Sequence, residues 1–231
     1  MRDQATTTRR ITVISVLALA LALFVFCIVA EEVTVGKTYV FDRRIALALR
    51  DPADPSVPIG PAWLQEAARD VTSLGSIVVL VIITLSVVGY LFLARQQGGA
   101  WLMLIAVFGG ILLNDLLKFA FSRPRPDIVV PFARVFTTSF PSGHAALSAI
   151  TYLTIGALLA RTHSPFALQV YVMSLAAFLA ILIGLSRIYL GVHYTSDVLA
   201  GWCVGVAWAI ACWMMAAWLQ VGHQTGSPFS S

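Results

Sequence analysis

Three short clusters in this chain carry residues suited to phosphoryl chemistry. The first is Asp115-Leu-Leu-Lys-Phe-Ala-Phe-Ser-Arg-Pro-Arg-Pro126, the second Phe140-Pro-Ser-Gly-His144, and the third Ser186-Arg-Ile-Tyr-Leu-Gly-Val-His-Tyr-Thr-Ser-Asp197. Lys118, Arg125 and Arg187 supply fixed positive charge: arginine grips phosphate oxygens bidentately and lysine acts as a point charge. Ser142 and Gly143 stand where a helix should begin. Unpaired backbone N–H groups there bind anions, glycine allows close approach, and the Ser142 hydroxyl can donate as well. His193 and Asp197 are four residues apart. If the last helix starts by His193 they share a face; otherwise the turn before it must bring them together. A carboxylate on one imidazole nitrogen fixes the tautomer and leaves the other free to attack phosphorus. His144, from a different segment, would then protonate the leaving alkoxide, which completes a nucleophile and acid pair.

The elements that hold these residues are membrane helices. Of 231 residues 59% are hydrophobic and 11% charged, with a mean hydropathy of +0.87, too apolar for an ordinary soluble domain. A bilayer core of about 30 Å needs roughly 20 apolar residues per helix. Runs of that kind predict six spans, about Ile11 to Ala30, Ser76 to Ala94, Trp101 to Phe121, Ser142 to Ala160, Ala167 to Leu185 and Ser196 to Leu219. The expected fold is therefore an all-α six-transmembrane helix bundle, one domain over residues 1–231. Its core covers about 70–219, and 11–70 holds the first span and an interfacial segment. The third span exits where the fourth enters, and the fifth exits on that same side, so the three clusters meet on one face of the membrane. Ionisable groups placed there are functional candidates, because a charge at the bilayer centre costs roughly 2.5–3.5 kcal/mol.

The remaining features narrow the function class. A net charge of +4 and a pI near 9.2 come from scattered basic residues with no continuous patch, which argues against nucleic acid as a partner. Cys27, Cys203 and Cys212 lie in apolar runs and read as small hydrophobes. No obligate protein partner is evident; the bilayer and a membrane lipid are the expected partners. The first apolar run is full span length, lacks a clear small-residue cleavage site, and reads as a retained helix. In the following connector, Phe41, Ile45 and Leu49 recur at helical spacing opposite Asp42, Arg43 and Arg44, which predicts a helix in the headgroup layer. The Pro-rich run Asp51 to Pro61 ends it, and Trp63 to Asp70 form a second interfacial piece. Arg2, Arg9 and Arg10 before the first span, with Glu31 and Glu32 after it, place both termini in the cytoplasm. The remaining polar residues read mainly as structural: Arg134 as an interfacial anchor, Arg123 as an anchor or at most a secondary contact among the site cations, Asp115 as a partner for Lys118, His163 and His223 as satisfied polar groups.

The three clusters resemble the signature of the type 2 phosphatidic acid phosphatases, a superfamily that also contains bacterial acid phosphatases and vanadium haloperoxidases. Its motif K-x-x-x-x-x-x-R-P is matched by Lys118 through Arg125 and Pro126. P-S-G-H is matched by Pro141 to His144, and S-R-x-x-x-x-x-H-x-x-x-D by Ser186, Arg187, His193 and Asp197. The resemblance implies that Lys118, Arg125, Ser142, Gly143, His144 and Arg187 bind phosphate. It implies that His193 becomes phosphohistidine, that Asp197 orients it, and that His144 is the general acid. It further implies catalysis without a metal or other cofactor, and a site facing the extracytoplasmic side of a bacterial inner membrane. Lipid substrates in the family include undecaprenyl pyrophosphate, phosphatidylglycerol phosphate, phosphatidic acid and lipid A phosphates, among which no residue here chooses; the connector and the Asp127 to Phe140 loop would carry the selectivity. Rival readings are a lipid phosphotransferase, which shares the phosphohistidine, a vanadate-dependent haloperoxidase, and a non-catalytic lipid-phosphate binder or transporter, which needs no His193 beside Asp197.

Overall fold

The computed structural model describes residues 2–126, 138–161 and 165–225, which form eight helices and no strand. These are α1 (Arg2–Thr34), α2 (Tyr39–Ala48), α3 (Ala62–Ser73), α4 (Ile77–Leu93), α5 (Gln97–Phe121), α6 (Gly143–Ala160), α7 (Phe166–Tyr189) and α8 (Thr195–Thr225). Arg134 and His163 lie outside the described residues, as do most of the Asp127 to Phe140 loop and the side chain of His223.

Local chemistry sets the helix ends nearest the three clusters. α5 stops at Ser122, whose φ of 44° is left-handed, and Pro124 and Pro126 prevent its resumption. α7 runs on to Tyr189 and closes through Gly191 at φ 72°, where Val192 N–H returns to the Arg187 carbonyl at 3.2 Å. α6 begins directly after Pro141 and Ser142, and α8 begins with Asp197 in its first turn, where its charge complements the helix dipole.

Five helices, α1 and α5 to α8, are each long and apolar enough to cross a bilayer. The expected second span is α4, whose 17 apolar residues follow α3 after a bend of 48°; by length and composition the pair is a broken span or a re-entrant segment. α3 contains the expected interfacial piece Trp63 to Asp70. The break falls at Leu74-Gly75-Ser76, where a Cβ on Gly75 would strike Ile183 and lie 3.3 Å from the His144 ring. Ser76 then caps α4 by accepting from Val79 N–H at 3.4 Å. Other ends shift by a few residues: α5 starts at Gln97 rather than Trp101. α7 extends four residues beyond Leu185, so Ser186 and Arg187 belong to its last turn and not to a loop.

α6 is the central helix, buried along most of its length by α5, α7 and α8. Leu147 and Ile150 of α6 pack with Leu80 of α4 and Met103, Ala106 and Val107 of α5. Against α8 the contact is made by small residues. A Cβ on Gly201 would sit 2.6 Å from the Ser142 carbonyl oxygen, and one on Gly205 2.6 Å from that of Ala146 and 2.7 Å from the Ala149 methyl. This G-x-x-x-G face lets two backbones approach where lipid supplies no hydrophobic drive for association. The approach aligns two helix starts: Ser142 N–H donates to the Asp197 carbonyl at 2.9 Å.

Gly205→Ala should therefore destabilise the protein by about 1–3 kcal/mol, the usual cost of overpacking a tight contact. The matched change Gly89→Ala in α4, where a Cβ meets nothing within 4 Å, should not. Thermal unfolding in detergent checks this, and equal melting of the two variants would contradict the close approach.

Candidate active site

All three clusters meet at one end of the bundle. His193 lies in the turn between α7 and α8, 2% exposed, and Asp197 in the first turn of α8 has no exposed surface. Of the two arrangements left open by the sequence, the turn is the one found: α8 begins after His193. Asp197 Oδ2 lies 3.5 Å from His193 Nδ1, while Arg125 Nη1 stands 3.4 Å from Nε2 on the other side of the ring. Arg125 is held there by donating to the Val192 carbonyl at 2.9 Å. Burial drives the His193 pKa down to about 4; Asp197 opposes this by hydrogen bond and charge, and Arg187 and Arg125 add to it. A pKa that low leaves the imidazole neutral at pH 7, and a proton held on the Asp197 side would leave a lone pair on Nε2.

The cations come from three elements. Lys118, one turn before the end of α5, donates to the Thr138 carbonyl at 3.1 Å, and Thr138 Oγ1 returns a bond to the Lys118 carbonyl at 3.0 Å. Arg187 in the last turn of α7 donates through Nη1 to Thr72 Oγ1 of α3 at 3.0 Å, leaving its buried Nε without a partner. His144 in the first turn of α6 has the cations Arg187, Lys118 and Arg125, and the His193 ring, as neighbours. Gly143 sits beside them, where a Cβ would lie 3.1 Å from Asn114 Nδ2 and 3.8 Å from Lys118 Cε. The first N–H to close a turn of α6 is that of Ala146, so those of Gly143, His144 and Ala145 are not spent within the helix. Ser142 Oγ is buried and unpartnered, and does not cap the helix. Uncommitted donors and fixed cations around a neutral imidazole form a cradle for an oxyanion.

Two expectations fail. Asp115 makes no close ion pair with Lys118: it is exposed and acts on Lys118 only by charge at a distance, while Lys118 donates to the Thr138 carbonyl. Arg123 is no interfacial anchor. Its side chain is 11% exposed and bridges two buried carboxylates, Asp197 Oδ1 at 2.6 Å and Asp42 Oδ2 at 2.9 Å. Burial lowers the Arg123 pKa, but Asp197 and Asp42 outweigh it and the net shift is upward. Asp42 belongs to α2, where Ile45 and Leu49 pack inward and Arg43 and Arg44 are exposed as expected; the pattern departs only at Phe41, which is exposed, and at Asp42, which has no exposed surface. The sequence pattern also passes over Ser139, which donates to Asp197 Oδ2 and lies 3.5 Å from His193 Nδ1, and over Asn114 and Thr72. Ser139 stands two residues before Pro141 and carries no signal of its own.

Residues 99–220 match the PAP2 superfamily, a segment that contains all three clusters. Phosphatidylglycerophosphatase B of Bacillus subtilis is 33% identical over 185 residues, covering 78% of this chain and 86% of its own. Lipid A 1-phosphatase of Rhizobium etli is 40% identical over 112 residues, 46% of this chain and 45% of the relative. The crystal structure of a transmembrane PAP2-type phosphatidylglycerolphosphate phosphatase from Bacillus subtilis superposes with a TM-score of 0.73 at 28% identity, over 92% of this chain and 98% of that one. With the motif residues gathered at one end of an all-helical membrane bundle, and with a family match over more than half its length, the chain belongs to the PAP2 superfamily and is an integral membrane phosphatase.

Proposed function

We propose that the protein removes phosphate from a lipid phosphate or polyprenyl diphosphate through a phosphohistidine on His193, without a metal ion. The observation that carries this reading is the two-sided environment of one imidazole: Asp197 at Nδ1, Arg125 beside Nε2. Phosphate enters the cradle formed by Lys118, Arg125, Arg187, Ser142 and the N–H groups at the start of α6. Nε2 attacks phosphorus, the ester oxygen leaves with a proton from His144, and Asp197 stabilises the imidazolium that forms. Water then gives its proton back to His144 as it attacks the phosphohistidine, releasing inorganic phosphate and restoring both histidines. Three cations and aligned N–H groups offset the charge spread over the phosphoryl oxygens, the task a divalent ion performs elsewhere.

The lipid class follows from placement. The cradle sits at the mouth of a bundle whose outer surface is apolar, so a headgroup can reach it while its chains stay in the membrane. A half-open apolar cavity of about 530 Å³, lined mostly by α6, α7 and α8 through Leu153, Met173, Trp202, Ile210 and Trp213, is formed by the helices that carry His144, Arg187 and Asp197. A glycerophosphate headgroup is the first to test, since a relative matched over 86% of its own length is named for one. The whole chain acts as one domain, because α1 and α2 pack on the same elements that carry the motifs. Ala30 near the acidic end of α1 clusters with Phe140 and Ala200, so cytoplasmic termini put the site on the extracytoplasmic side of a bacterial inner membrane.

Purified protein should release phosphate from such lipids with EDTA present, and His193→Ala should lower the rate at least about a hundredfold. Rates that vanish with EDTA and return with a divalent cation would overturn the metal-free reading. Protonating His193 removes the attacking lone pair, and its pKa is depressed, so activity is lost only as the pH falls towards about 4. The single-turnover rate of enzyme phosphorylation should hold from pH 7 to about 5 and decline below that. A decline centred on the ordinary histidine value of 6.5 would show an unperturbed ring.

A further inference from the structure

We infer that Asp42, on the helix α2 outside the three motifs, is a positioning residue that works through Arg123 to fix the Asp197 carboxylate against His193. The inference rests on the phosphohistidine reading above. Asp42 has no exposed surface, although α2 is a short helix with most of its other side chains exposed or half-buried. Its two oxygens are fully engaged. Oδ1 accepts the Ser196 N–H at 3.0 Å, and Oδ2 accepts the Ser196 hydroxyl at 2.5 Å and Arg123 Nη2 at 2.9 Å. Asp42 therefore caps the N-terminus of α8 from another element, at the residue next to Asp197.

Arg123 completes the link. Its Nη1 donates to Asp197 Oδ1 at 2.6 Å and to Ser196 Oγ at 2.7 Å, while Nη2 reaches Asp42 and Thr38 Oγ1 at 3.3 Å. The guanidinium lies 4.4 Å from the centre of the Tyr194 ring, which fixes its plane. With Oδ1 tied by Arg123, the other oxygen of Asp197 is aimed at Ser139, the Tyr194 N–H and His193 Nδ1. The planar fork suits this position because its fixed geometry sets two carboxylates relative to each other, which the rotatable ammonium of a lysine would not. Losing Asp42 frees the fork to turn on Asp197, whose carboxylate would then rotate away from the imidazole.

This predicts a loss in turnover rather than in substrate affinity, because neither Asp42 nor Arg123 is placed in the phosphate cradle. Asp42→Asn should lower kcat about tenfold or more with KM within about twofold, and should slow single-turnover phosphorylation of His193 equally. Arg123→Gln should cost at least as much, and the double variant no more than Arg123→Gln alone, since both act along one path. Asp42→Glu should recover part of the loss. If Asp42→Asn does not fold, Ser196→Ala, which removes only the hydroxyl shared by Asp42 and Arg123, should still lower kcat severalfold at constant KM. Multiplying losses in the double variant, or a change confined to KM or to melting temperature, would overturn the inference. Absence of phosphoenzyme in the wild type would instead overturn the reading on which it rests.

Discussion

A carboxylate with no exposed surface at the mouth of a membrane bundle must be compensated from every side, and the way Asp197 is compensated organises this molecule. Taking such an ion out of water costs several kcal/mol, which only close, well-aligned partners can offset. Asp197 has four: the backbone of its own turn through Tyr194, the segment before α6 through Ser139, the segment after α5 through Arg123, and the imidazole of His193. These partners come from three separate segments, the turn between α7 and α8 supplying two of them. The requirement to satisfy one buried charge therefore fixes how the ends of α5, α6, α7 and α8 meet.

The same economy explains why the anion cradle stays available. Lys118 and Arg187 are each steadied by a single neutral oxygen, Thr138 and Thr72, so their charge is not cancelled. Arg123, by contrast, is consumed by two carboxylates. The cations thus divide into one that compensates buried acid and three that face the imidazoles. The G-x-x-x-G contact of α8 on α6 supplies the mechanical counterpart, since it brings the free N–H groups at the start of α6 beside the turn that holds His193.

Much of this was legible in the chain because lipid is an intolerant solvent. Polar residues clustered at span ends stand out against apolar runs, and topology alone brings the three clusters to one face. The bend between α3 and α4 was not legible: Leu74-Gly75-Ser76 contains no proline, and only the fold shows that Ile183 and His144 leave no room for a Cβ at Gly75. Nor was the role of Asp42. Amphipathic reading assigns a charged residue in a headgroup-layer helix to the wet face, and the rule fails when a buried arginine from elsewhere offers a better partner than water. Arg123 was misread for the same reason, since its partners lie 81 and 74 residues away in sequence.

The central claim is that one histidine, aligned by Asp197, carries phosphate during turnover. The most direct test is to quench the enzyme at alkaline pH during turnover of a lipid phosphate in EDTA, digest it, and map the phosphorylated residue by mass spectrometry. Phosphate on the peptide containing His193, absent from His193→Ala and retained by His144→Ala with a good leaving group, is the predicted result. Phosphate on another residue, or turnover by His193→Ala at a rate near that of the wild type, would contradict the account.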